Sequence, residues 1–116
     1  MSLRLGVLGF LMVFAAGSAL AEASTDPVTV ALTLKDHRFM PAEVTVPAGR
    51  RIRIELTNRD AASEEFDSDD LHVEKDVTPN GKASFTVGPL RPGTYAFMGE
   101  LHADTASGVL VANAAP

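Results

Sequence analysis

Arg51-Ile52-Arg53-Ile54-Glu55-Leu56-Thr57 alternates a charged or polar residue with a large aliphatic one at every step. In an extended chain successive side chains point to opposite faces, so Ile52, Ile54 and Leu56 line one side while Arg53 and Glu55 line the other. A slip of one residue would bury arginine and glutamate, which fixes the register of a half-buried strand. Val28 to Lys35 repeats the pattern, with Val28, Val30, Leu32 and Leu34 on one face. Shorter candidates are Glu43 to Val46, Leu71 to Val77, Ala83 to Val87, Thr94 to Met98 and Gly108 to Ala112, about seven strands altogether. Turn chemistry separates them at Pro41, Pro47-Ala48-Gly49, Asn58-Arg59-Asp60, Pro79-Asn80-Gly81, Gly88-Pro89 and Arg91-Pro92-Gly93. No long amphipathic helix fits between them, although Asp60 to Glu65 has room for a helical turn. Many short strands at regular spacing predict an all-β sandwich of two sheets rather than a βαβ fold.

Outward from these strands, the N-terminus has another character. Arg4 precedes the apolar run Leu5 to Ala16, and Ala19-Leu20-Ala21 follows as a cleavage box, the three-part pattern of a secretory signal peptide over residues 1–21. About 12 apolar residues span only ~18 Å as a helix, short of the ~30 Å hydrocarbon core, so a lasting membrane anchor is not expected. Residues 22–27 read as a flexible leader and 28–116 as a single domain. Bacterial export would place that domain in the periplasm. Disulfides are permitted there, yet the chain has no cysteine, so stability rests on packing or on a bound ion.

The 116-residue chain carries a formal net charge of −5, and seven of its 15 acids fall between Glu64 and Asp76. Such a chain is a poor partner for nucleic acid, and cations are the natural ligands of the acidic stretch. No Ser-His-Asp arrangement, glycine-rich phosphate loop or helix-borne histidine pair is present at a working spacing, which argues against a hydrolase or nucleotide enzyme.

The order of signals is specific. A strand is followed by Phe39-Met40-Pro41-Ala42-Glu43, then Val46-Pro47-Ala48-Gly49, a strand ending in Asn58, and Leu90-Arg91-Pro92-Gly93-Thr94-Tyr95-Ala96-Phe97 ahead of His102. From Val28 to Ala112 this resembles a cupredoxin, which implies a Greek-key β-sandwich. Glu65-Phe66-Asp67-Ser68, Leu71, Glu74-Lys75 and the Pro-Leu-x-Pro-Gly turn resemble the EfeO-type branch, associated with bacterial ferrous-iron uptake. A blue-copper centre needs a thiolate beside two imidazoles and a weak axial methionine. The resemblance sets the cysteine position on Gly99 and the loop histidine on His102, and it puts the replacement for the other histidine in Glu64-Glu65-Phe66, at Glu65. Without a thiolate, a blue electron carrier is disfavoured.

Candidate ligands follow. His102 stands at the metal end implied by the resemblance, two residues from Glu100. Glu65 and Asp67, one residue apart, face the same way in an extended segment and suit a hard cation, while Glu64 points oppositely with Phe66. Glu74 is a metal candidate or a structural ion-pair partner. His72 shares its parity. His37 lies on a strand-to-strand connection, and the resemblance gives it no role. Met98 and Met40 are thioether candidates only if the loops bring them round to His102, and alternation turns Met98 away from Tyr95, Phe97 and Gly99.

The expectation is thus a periplasmic metal-binding accessory protein of iron uptake. It would hold a copper or iron ion through His102, Glu65, Glu100, Asp67 and Glu74, support Fe(II) oxidation or delivery, and pass the ion to a membrane permease. A metal-free module docking its acidic face on a periplasmic partner, and a copper-delivery protein, are the alternatives.

Overall fold

The computed structural model describes residues 26–114; the expected signal peptide and most of the leader lie outside them. Nine strands run through this part: β1 (Val28–Lys35), β2 (Arg38–Met40), β3 (Glu43–Pro47), β4 (Ile52–Asn58), β5 (Glu64–Ser68), β6 (Val73–Val77), β7 (Lys82–Val87), β8 (Gly93–Gly99) and β9 (Ser107–Asn113). They form two sheets, ordered β2-β1-β4-β7 and β3-β9-β8-β5-β6. The all-β sandwich expected from alternation is the observed fold, with two more strands than the pattern revealed.

Alternation works as predicted where one face is apolar. On β4, Ile52, Ile54 and Leu56 are sealed in the core, while Arg53 and Glu55 stand in solvent, 3.4 Å apart. Exposed pairs of this kind contribute ~0–1 kcal/mol, so it is burial of the aliphatic face that sets the strand's register.

The strands that were missed lacked that contrast. β2 is only three residues long. The inward face of β5 is Glu64, Phe66 and Ser68, two polar groups around one aromatic. Both polar side chains find partners: Ser68 Oγ donates to the Ala96 carbonyl at 2.6 Å and accepts from Leu71 N–H at 3.0 Å. Hydrogen bonding removes most of the cost of burying them. Asp60 to Glu65, which had room for a helical turn, instead bends into β5, and the helix described is a single 3-10 turn at Glu100–His102.

Phe39, Phe66 and Phe97 meet in the core, with ring centroids 5.0–6.0 Å apart in edge-on and stacked arrangements. Each lies two residues along the chain from a residue at one end of the sandwich: His37, Glu64 and Gly99 respectively. The aromatic cluster therefore anchors the three segments that build that end. Topology completes it, because β1 and β4 run parallel with Leu34 beside Asn58, so the β1–β2 turn and the loop after β4 emerge together.

Candidate metal centre

Glu64 opens β5 with 1% of its surface exposed. Its Oε1 accepts from Leu101 N–H at 2.8 Å and from Glu65 N–H at 3.1 Å, and its Oε2 is hydrogen-bonded to His102 Nδ1 at 2.5 Å. A carboxylate enclosed in this way needs several donors, and the 3-10 turn supplies two of them. Gly99, just before that turn, leaves the space. A Cβ on Gly99 would lie 2.6 Å from Glu64 Cδ, 2.9 Å from its Oε2 and 2.9 Å from Ala106 Cβ. At φ −90° the Gly99 backbone suits any residue, so the requirement for glycine is one of room.

His37 comes from the opposite sheet. Lys35 pairs with Arg38, so Asp36 and His37 form a two-residue hairpin turn, with φ of 52° and 56°. Two successive left-handed residues suit the right-handed twist of the flanking strands. For non-glycine residues that conformation costs about 1–3 kcal/mol each, so the surroundings must hold it. The hold is Asp60, whose Oδ1 accepts from Asp36 N–H at 2.7 Å and whose Oδ2 accepts from His37 N–H at 3.0 Å. These backbone donors, His37's first, keep the Asp60 carboxyl below the usual aspartate range against the opposing effect of burial. The turn brings His37 onto His102, ring centroids 3.7 Å apart and planes 13° from parallel.

One ligand atom from each of His37, Glu64 and His102 falls within 4.8 Å of the others. Two imidazoles and a carboxylate, with positions left open, suit a divalent transition metal such as Fe(II), Cu(II) or Zn(II). A thiolate-copper centre does not fit, since no cysteine exists and the room beside Gly99 is taken by the Glu64 carboxylate.

The residues anticipated from sequence fall into two groups. His102 is in the inner cluster. Glu65 and Asp67 project from the other face of β5, where they meet Glu100, and their negative charge, Glu65's first, holds the Glu100 carboxyl above the usual glutamate range. Glu74 on β6 pairs in register with Asp67 and is exposed. It lines a shallow depression with Asp67 and His72. Met98 and Met40 are exposed, Met98 facing away from Phe97 as its parity requires. Glu64 and His37 are the additions that sequence reasoning did not assign. Glu64 could have been found from parity, since it shares the inward side of Phe66. His37 could have been found from its place in a turn too short to hide its side chain.

Comparison with known proteins agrees with this architecture. The family model for the cupredoxin-like domain matches residues 7–112. The uncharacterized protein RP394 of Rickettsia prowazekii (strain Madrid E) is 44% identical over 84 residues, covering 72% of this chain and 67% of that one. Among solved structures, the blue copper protein auracyanin A of Chloroflexus aurantiacus superposes with a TM-score of 0.65 at 20% identity, over 76% of this chain and all of that one. The metal-binding domain of the Cu(I)-exporting P-type ATPase CopA of Streptococcus pneumoniae D39 gives 0.65 at 11% identity, over 78% of this chain and 99% of that one.

Proposed function

Because this chain belongs to the cupredoxin-like domain family but has no thiolate to offer, we propose that it binds a divalent transition-metal ion, copper(II) or iron(II), through His37, Glu64 and His102. The observation that carries this reading is the convergence of two imidazoles on one buried carboxylate at the end of the sandwich. Copper when bound would supply an electron-accepting, Lewis-acidic centre, and iron would be cargo. Glu64 would hold the ion by charge, and His102 would give up its hydrogen bond to Glu64 for a metal bond. Phe39, Phe66 and Phe97 anchor from within the core the segments that carry His37, Glu64 and Gly99.

The proposal extends to setting. The signal-peptide pattern supports a periplasmic protein. The EfeO-type resemblance and the acidic face of Glu65, Asp67 and Glu100 support an accessory role in iron uptake, in which that face attracts cations and the protein hands its ion to a permease. Blue-copper electron transfer is not part of the reading.

Calorimetric titration of the mature domain with Cu(II), and anaerobically with Fe(II), tests it. One-to-one saturable binding is expected, weakened about 10-fold or more by Glu64→Gln and by His102→Ala. If neither ion binds the unmodified protein, the metal reading is wrong and the acidic face becomes a protein-docking surface.

A further inference from the structure

We propose that Asp60 is the positioning residue of this centre, selecting which nitrogen of His37 is offered to the ion and holding the turn that presents it. The proposal rests on the metal reading above and names a residue outside its ligand set. Three observations carry it.

The first is the anchoring of the turn. Both N–H groups of the left-handed pair Asp36-His37 donate to the two carboxylate oxygens of Asp60, one to each. No neutral side chain of the same size can accept in this way with both terminal atoms, because an amide has one oxygen and one NH₂.

The second is the rigidity of Asp60. Its residue surface is 9% exposed, its N–H donates to Asn58 Oδ1 at 3.0 Å, and its carbonyl accepts from Asn80 N–H at 2.9 Å. Asn58 is fixed in turn, its amide donating to the carbonyls of Ala62 at 2.8 Å and Thr78 at 3.1 Å. The carboxylate is thus built into the junction of three loops before it touches His37.

The third concerns the imidazole. His37 Nδ1 is sealed from solvent, has no hydrogen-bond partner among the described residues, and lies 3.6 Å from Asp60 Oδ2. That separation is too long for a hydrogen bond but places the nitrogen next to a negative charge. A proton on Nδ1 is favoured there and a bare lone pair is not. Nε2 then carries the free lone pair. A carboxylate behind a ligating imidazole fixes its tautomer and increases its basicity.

The experiment combines Cu(II) affinity with the ring tautomer of His37. Nitrogen-resolved NMR of the metal-free protein is expected to show the Nδ1–H form, and this needs no substitution. Asp60→Asn is expected to weaken Cu(II) binding about 10-fold. The same change is expected to have no further effect on binding in a His37→Asn background, since Asn accepts the left-handed turn but cannot ligate in place of the imidazole. An Nε2–H tautomer, unaltered affinity in Asp60→Asn, or an equal loss with and without His37 would overturn the assignment. The last result would mark Asp60 as merely structural. Failure of the unmodified protein to bind Cu(II) would instead overturn the metal reading, and the positioning role with it, whereas binding that survives Asp60→Asn removes the role of Asp60 alone.

Discussion

The carboxylate of Glu64 fills the space a side chain at Gly99 would need, with its Cδ 2.6 Å from where a Cβ on Gly99 would stand. The cupredoxin resemblance assigns position 99 to a cysteine. In this chain the side chain is missing there, and a carboxylate from the neighbouring strand occupies the room. A side chain at position 99 and the Glu64 carboxylate in its present place compete for the same room, so under the proposed metal reading a hard oxygen donor stands where the resemblance would put a soft sulfur one.

Gly99→Ala should therefore act through Glu64. Overpacking of this kind costs about 1–3 kcal/mol, and the variant should melt at a lower temperature. The loss should be smaller when Glu64→Ala is already present, because the clash with the carboxylate has gone and only the contact with Ala106 Cβ remains. A double-mutant cycle by thermal denaturation measures this coupling, and additive losses would contradict the steric account.

The inner and outer acids should separate functionally. Glu65→Gln and Asp67→Asn, on the far face of β5, should change Cu(II) affinity much less than Glu64→Gln does. Glu65→Gln should also lower the Glu100 carboxyl toward the ordinary glutamate range by removing the nearby negative charge. Titration calorimetry and carboxyl NMR read the two effects separately.

Loading with Cu(II) should give a pale adduct without the intense thiolate-to-copper absorption of a blue site, because no sulfur of that type is present. An optical spectrum of the loaded protein settles this directly, and a strongly blue adduct would refute the ligand set.

Acid should weaken the fold through Asp60. Its folded carboxyl sits below the ordinary aspartate value of 3.8 because the His37 and Asp36 N–H groups stabilise the ionised form. A depressed carboxyl contributes stability that is present above that value and lost as pH falls toward the folded one. Thermal midpoints should decline below about pH 4 for this group, and Asp60→Asn should flatten that part of the profile while lowering stability at neutral pH.

Truncating an anchor should loosen the centre and the core together. Phe66 is fully buried against Phe39, Phe85 and Phe97, and Phe66→Ala should cost about 3–5 kcal/mol. Denaturant unfolding gives the stability change. Hydrogen exchange at the Glu65 and Leu101 amides, both donors to Glu64, reports whether the site loosens as well.

Much of this protein could be read from its residues. The alternation at Ile52, Ile54 and Leu56 determined a strand and its buried face, since a two-residue period admits only one way to keep Arg53 and Glu55 wet. Turn residues delimited most of the other strands, the cysteine count excluded a thiolate centre, and the resemblance to a cupredoxin put His102 at the end of the sandwich where a metal would sit. Parity even fixed Glu64 on the side of Phe66.

Tertiary structure decided what that parity meant. An acidic run is ordinarily a wet face, and nothing local says that Glu64 alone would be enclosed by a backbone N–H 37 residues away in sequence and an imidazole 38 residues away. His37 and His102 lie in turns that stack only because the two sheets close on each other, and Asp60 reaches the β1–β2 turn only because β1 and β4 run parallel. Local pattern follows from the period of the backbone. A metal centre depends on contacts between segments far apart in the chain, and those distances are set by how the sheets pack.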